Sequence, residues 1–374
     1  MVEITPQFVI VISQYILIGV GFLPFDKNAS NLKIILVNIF WWLFWFLSLS
    51  LAIPLAYTAY EMQSNLVVAT KSLCLSLACL QCTIKMSIYK IHYPLIQFLV
   101  EEIDVYVSNA TSAEKSILKQ YAKRRGIVYV ISFISGLIAT ITIVCGPLVL
   151  PQSLPTDAKY PFSVQEYPVY EIVYIQQIVA GLQCAFACIM EMQIAMVLWF
   201  LVGRLEYLGI EMSNIENESK LYTCIRKHQY LLWFITQVYG VTELFVLTTI
   251  IMSTISIILG SIHIVGNQPF MIKAQFVVID VAFLNLLFLI AWPADYIISA
   301  CESIGSKIYE SEWIQWSGPS NKCIVMIVQR TGKPCAITFR GITPNLSLKY
   351  YASVLSTIFS YFTTLRSVIG DIEH

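Results

Sequence analysis

Apolar residues run along this chain in stretches too long for a soluble core. Ile34 to Tyr60 is free of Asp, Glu, Lys and Arg, and so are residues 126–156 and 244–272. Three further runs hold one charge each: residues 62–84 hold Lys71, 172–203 hold Glu191, and 274–294 hold Asp280. A helix rises 1.5 Å per residue, so a hydrocarbon layer of about 30 Å needs about 20 such residues. Each run therefore predicts a membrane-spanning helix. Residues 350–365 are fewer, but Leu346, Leu348, Val368 and Ile369 carry the apolar character past Lys349 and Arg366. Those two long side chains can snorkel to the interface. The pattern predicts an all-α membrane protein with seven transmembrane helices.

An eighth run, Ile4 to Phe25, contains Pro6, Gln7, Gln14 and a Gly19–Pro24 stretch. These residues suit an interfacial or re-entrant helix better than a clean span. Glu3 stands where a secretory signal would place positive side chains, so the segment is expected to be retained.

The basic residues set an orientation. Two lie in the N-terminal segment, seven in residues 85–125, four in 204–228 and six in 295–349, nineteen in all, against three in the intervening loops. Cytoplasmic loops carry the Lys and Arg excess, which predicts a cytoplasmic N-terminus and an extracellular C-terminus. That is the reverse of a G-protein-coupled receptor. The expected organisation is a cytoplasmic segment over 1–33, six spans over 34–294, a cytoplasmic anchor over 295–349, a last helix over 350–369 and an extracellular end over 370–374. Four N-x-S/T sequons, at Asn28, Asn109, Asn217 and Asn345, lie on the side assigned to the cytoplasm and are expected to stay unmodified.

Composition narrows the function. With 57% hydrophobic and 12% charged residues, the chain has half the charge of a typical soluble domain, about 25%. Equal numbers of acids and bases leave no basic patch for nucleic acid. His92, His228, His263 and His374 have no zinc-ligand spacing, and neither a phosphate-cradling glycine loop nor a G-x-S-x-G elbow occurs. No enzyme, metal or cofactor is expected. The ten cysteines read as reduced packing residues, the C-x-x-C at Cys79 and Cys82 included, because it sits in an apolar helix. Without an internal repeat, the inverted symmetry of many secondary transporters is missing. Lys71 and Glu191 are expected near helix ends or a hydrated crevice. Asp280, the deepest by position, is expected to serve bundle packing or pocket polarity.

The last helix carries a second pattern. Ser353, Ser356 or Thr357, Ser360, Thr364 and Ser367 recur every three or four residues, along one face. Such an uncharged polar stripe suits a water path that passes ions with little selectivity. The same hydroxyls could equally bond to their own backbone or to a neighbouring helix.

The C-terminal third resembles the insect odorant receptor family. The resemblance rests on Trp292-Pro293-Ala294-Asp295, on Ile308-Tyr309-Glu310-Ser311-Glu312-Trp313, and on Leu346-Ser347-Leu348 leading to Ala352-Ser353-Val354-Leu355 and Ser360-Tyr361-Phe362-Thr363-Thr364-Leu365-Arg366. Before the last helix, Thr338-Phe339-Arg340-Gly341 departs from the family's threonine-alanine-glycine. The resemblance implies an odorant-specific subunit of a heterotetrameric, odorant-gated, non-selective cation channel in the plasma membrane, built with a shared coreceptor. It implies a pore lined by Ser353, Ser356, Thr357, Ser360, Thr364 and Ser367, with Thr364 and Ser367 near the outer constriction. A volatile ligand would sit in the outer half of the bundle, among Leu73, Leu77, Ile138, Thr142, Cys145, Tyr174, Gln177, Ile178, Gly181, Phe276 and Phe283. Thr142, Tyr174 and Gln177 would supply hydrogen bonds. A gustatory-type receptor of the same architecture and a secondary transporter are the alternatives.

Overall fold

The computed structural model describes Leu17 and residues 30–149, 152–333, 335–338 and 344–372. The expected interfacial helix lies outside these residues, apart from Leu17. The described residues form helices and no strand: α1 (Asn31–Glu61), α2 (Leu66–Ile91), α3 (Tyr93–Asn109), α4 (Ser112–Val144), a four-residue α5 (Gly146–Val149), α6 (Val169–Ser213), α7 (Glu218–Val265), α8 (Phe270–Tyr309), a 3-10 turn at Trp313–Gln315, α9 (Gly318–Thr331) and α10 (Leu348–Ile372). Six of them, α1, α2, α4, α6, α7 and α8, are long and apolar enough to cross a bilayer. The seventh, α10, has the length at 25 residues.

Two spans end earlier than the charge-free runs suggest. The run over 126–156 breaks after Val144, because Gly146 and Pro147 interrupt the helix, and α4 instead begins upstream at Ser112. The run over 244–272 is divided at Gly266, the C-cap of α7, and Pro269, the N-cap of α8. The stretches expected as long inner loops are largely helical. Residues 85–125 complete α2, form α3 and start α4, while α6, α7 and α8 run on to 45, 48 and 40 residues. At 1.5 Å per residue each is far longer than a bilayer is thick, so these three helices project beyond it.

Helix starts explain the sequons. Ser30 Oγ accepts from Lys33 N at 3.4 Å, Ser347 Oγ from Tyr350 N at 3.2 Å, and Asn217 Oδ1 from Lys220 N at 2.9 Å. Thr111 and Glu114 form a reciprocal capping box. One residue of each N-x-S/T triplet is thus a helix N-cap, a position that favours Ser, Thr and Asn for their short accepting side chains.

The helices differ in what surrounds them. From Ala187 to Met196 every residue of α6 is buried, whichever way it points, so α6 is the bundle's central helix. By contrast α4 leaves Ile127, Val130, Ile131, Ile134, Ile138 and Ile141 exposed along one stripe, and α1 does so with Ile35, Ile39, Trp42 and Phe46. Such faces suit lipid. Glycines bring α4 and α6 together: a Cβ added at Gly136 would stand 3.2 Å from Cys188 Sγ, and one at Gly181 would stand 3.2 Å from Thr140 Cγ2.

Further along α6 and α8 the packing turns aromatic. Trp199 of α6 meets Trp292 and Tyr296 of α8 at 5.3 and 5.1 Å between centroids. Arg204 lies 4.2 Å from the Tyr106 ring and 3.3 Å from Glu102, which also accepts from the Tyr230 hydroxyl at 2.6 Å. Burial, and then the hydrogen bond to Glu114, push the Tyr106 phenol upward.

Candidate functional site

A cavity of about 100 Å³ opens between α2, α4, α6 and α8. Small side chains make room for it: Ala78 on α2, Gly136 and Ala139 on α4, Ala185 on α6 and Ala282 on α8 border it, between bulkier Leu75, Ile143, Ile279, Phe283 and Leu286. An engineered cavity of about 150 Å³ holds benzene, so the space as it stands suits a compact molecule. The cavity is apolar along most of its length. At one end Gln81, Lys85 and Glu191 enter the lining, together with Cys82 and Cys188.

Lys85 and Glu191 form an ion pair inside the bundle, with side chains 2% and 1% exposed. Lys85 Nζ donates to Glu191 Oε1, and Oε2 is buried without a partner. Of the two expected placements, a helix end or a hydrated crevice, the helix end does not hold for Glu191: it lies near the middle of α6 and borders the cavity, paired with a lysine that a count of charge-free residues leaves just outside its span. Lys71 does sit near the start of α2, where it reaches Asp157 at 2.7 Å and Gln152 at 3.1 Å. Asp280 is buried against Gly260, with Oδ1 unpartnered.

Of the residues expected to line a ligand pocket, Phe283 borders this cavity. Leu73 and Ile138 turn outward, 37% and 44% exposed, while their neighbours Cys74 and Ala139 line the wall. Leu77 is likewise displaced by one position from Ala78. Phe276 stacks on His263 at 4.0 Å, Cys145 caps α4, and Gly181 packs on Thr140. The three expected hydrogen-bonding residues stand elsewhere. The Thr142 hydroxyl donates to Ala139 O at 2.7 Å, and Gln177 Oε1 accepts from Thr156 N at 3.0 Å. Tyr174, half-buried, packs 6.0 Å from Tyr170; Ile178 is half-buried beside it.

Gln177 belongs to a second arrangement. The proline-rich connection 152–168 is tied over this end of the bundle: Lys159 N donates to Thr58 Oγ1 at 2.8 Å, Lys159 Nζ pairs with Glu61 at 3.2 Å, and the Tyr160 hydroxyl donates to Gln176 Oε1 at 2.9 Å. The connection is therefore a cover held by α1, α2 and α6.

On α10 the expected stripe is coherent. Ser353, Ser356, Thr357, Ser360, Thr364 and Ser367 are all exposed, whereas Tyr351, Val354 and Ile358 pack on the bundle. Thr357 and Thr364 each donate at 2.9 Å to the carbonyl four residues back, leaving their oxygens free to accept from water. Asp295 Oδ1 accepts from Leu348 N at 3.1 Å and so fixes the start of α10 to α8. The Tyr351 hydroxyl donates to Leu284 O at 3.5 Å, and its ring lies 5.7 Å from Phe288. One helix, α8, thus borders the cavity with Ile279, Phe283 and Leu286 and holds α10 with Leu284, Phe288 and Asp295.

All ten cysteines are free thiols, and no group of three His, Cys, Asp or Glu among the described residues is placed to hold a metal.

Residues 65–359 match the family described as 7tm Odorant receptor. Odorant receptor Or2 of Anopheles gambiae is 23% identical over 283 residues, 68% of this chain and 72% of that protein. Odorant receptor 13a of Drosophila melanogaster is 22% identical over 371 residues, 88% of each. The olfactory receptor OR5 of Machilis hrabei in complex with eugenol superposes with a TM-score of 0.84 at 18% identity, over 97% of this chain and 98% of that one. Without eugenol the TM-score is 0.85. At that identity the likeness is one of fold.

Proposed function

This chain belongs to the insect odorant receptor family, whose members are receptors and not enzymes, and from that membership we propose that it is the odorant-specific subunit of an odorant-gated, non-selective cation channel. The channel is a heteromer with a shared coreceptor in the plasma membrane, with the N-terminus cytoplasmic and the C-terminus extracellular. The Lys and Arg excess at the end where α6, α7 and α8 project supports that orientation. The projecting ends with α9 form the anchor where subunits meet.

A volatile ligand enters the cavity between α2, α4, α6 and α8, and α8 transmits its presence to α10. The contacts support this route because they lie on opposite faces of one helix, the nearest of them, Phe283 and Leu284, adjacent in sequence. A ligand that needs more room than about 100 Å³ must displace Ile279, Phe283 or Leu286, and a shift of α8 carries Leu284, Phe288 and Asp295 with it. A pathway of this kind acts by favouring one of two arrangements of α10, closed or open.

The observation that carries the reading is the orientation of α10. Its hydroxyl face, with Phe359 and Tyr361 beside it, is turned away from its own bundle while Tyr351, Val354 and Ile358 are packed. Backbone carbonyls of α10 take the Thr357 and Thr364 protons, and the remaining acceptor sites of the stripe suit water or a polar neighbour, both of which the centre of an oligomer provides. The test is expression with the coreceptor in oocytes, screening volatiles for current with and without Thr364→Trp. Ligand-evoked current that the tryptophan blocks, at unchanged surface expression, is the expected result. Current that depends on a G protein and ignores the block contradicts the proposal.

A further inference from the structure

The polar end of the cavity has no packing explanation. Removing two charges from water costs several kcal/mol each, and apolar side chains of similar size would be about as stable there. Yet Lys85 and Glu191 meet at the wall of the cavity with neither fully satisfied. A lysine ammonium has three N–H donors and a carboxylate accepts at both oxygens. Of these, one N–H and Oε1 are engaged with each other, while Oε2 is buried without a donor. The surroundings offer little else. Gln81, the other polar side chain here, directs Nε2 to Ser253 Oγ at 3.5 Å, and Nζ stands 5.3 Å from the centroid of the Phe245 ring, a cation–π contact that does nothing for Oε2. The other groups facing the pair are the thiols of Cys82, Cys184 and Cys188, weak donors at best.

We propose that the Lys85–Glu191 pair is the recognition element of the cavity and selects small ligands that carry a hydroxyl group on an apolar body. This rests on the reading of the cavity as the odorant pocket. A hydroxyl both donates and accepts, so one group can donate to Glu191 Oε2 and accept from Lys85 Nζ. Ketones, aldehydes, esters and ethers only accept, leaving Oε2 as it was. Hydrocarbons satisfy neither atom. Leaving a buried charged group unpaired costs more than a neutral hydrogen bond returns, and a site built around a hydroxyl rejects analogues lacking it far more strongly than an apolar pocket rejects a missing methylene. The expected order is therefore alcohols and phenols first, carbonyl compounds and ethers next, hydrocarbons last. The apolar remainder of the cavity is smaller than the about 150 Å³ that holds benzene, so as it stands it suits a short alkyl chain, and a phenyl ring must displace Ile279, Phe283 or Leu286.

The test is a dose–response series on the full-length receptor expressed with its coreceptor. It uses 1-butanol, 1-hexanol, phenol and benzyl alcohol beside their methyl ethers and the corresponding hydrocarbons. A parallel series uses the double variant Lys85→Met/Glu191→Leu, which removes both charges at similar volume and so avoids a lone buried ion. Surface labelling confirms that each reaches the membrane. The proposal expects each active alcohol to be at least about tenfold more potent than its ether, and expects the double variant to lose that preference while still answering apolar compounds. Alcohols and ethers of equal potency on the unmodified receptor overturn the inference and leave the odorant-receptor reading standing. So does a double variant that keeps the preference. Surface-expressed receptor that answers no compound of any class, and is stabilised by none in a thermal-shift assay, overturns this pocket reading and the inference together.

Discussion

Polar groups are arranged oppositely in the two regions that matter here. In the cavity, Lys85 and Glu191 are turned inward and are almost wholly enclosed. On α10 the hydroxyls are turned outward, and apolar residues hold the helix to the bundle. In a lipid-soluble protein, apolar burial gives a helix little reason to choose a face, so a polar side chain's direction indicates what it addresses. An inward ion pair beside a void addresses something that enters the subunit. An outward uncharged stripe addresses water or another subunit.

The two regions should answer mutation differently, and the largest effect is expected inside. Glu191→Leu alone strands a buried ammonium and should cost about 3–5 kcal/mol, seen as lost surface expression. Adding Lys85→Met should restore expression. Equal expression of the single and double variants would mean that the pair is hydrated and not enclosed. Leu286→Ala, at the cavity wall, should cost about 2–3 kcal/mol, near the lower end for such truncations because the side of the leucine that faces the void has few contacts to lose. It should also shift potency toward bulkier ligands, as measured on a homologous series; an unchanged size preference would place the ligand elsewhere.

Between the two regions, Asp295→Ala removes the acceptor at the start of α10 and should cost about 1 kcal/mol, read as a lower melting temperature of the solubilised protein. Asp295→Asn should recover most of it. The smallest stability effect is expected on the outward stripe, where Ser360→Ala should change stability by less than about 0.5 kcal/mol. A substantial loss of stability there would mean that the stripe is packed.

Much of this architecture was legible in the sequence because charge is so expensive in hydrocarbon. The long apolar runs, free of charge or holding one, located all seven long helices, and serine and threonine spacing located the face of α10. The runs failed where a backbone effect rather than a charge ends a helix, as at Gly146 and Pro147, and at Gly266 and Pro269. The ligand-facing positions were less readable. Leu73, Leu77 and Ile138 each stand one residue from a cavity-lining neighbour, since a helix that is apolar on every side carries no periodic signal for its inner face. Lys85 was hidden for a related reason: a basic residue at the end of an apolar run reads as the start of a loop, and its partner, 106 residues further on in α6, is visible only in three dimensions. Asp295 stands in the Trp-Pro-Ala-Asp motif, but its bond to Leu348 N is visible only in the fold.

The central claim is that the hydroxyl face of α10 meets water in the assembled channel. Single cysteines placed in turn from residue 353 to 364, in receptor expressed with its coreceptor and exposed to a membrane-impermeant thiol reagent during odorant stimulation, test it directly. Modification that alters current at Ser353, Ser356, Thr357, Ser360 and Thr364, and spares Val354, Ile358 and Phe362, is the predicted result. Modification without that periodicity, or confined to the apolar face, contradicts it.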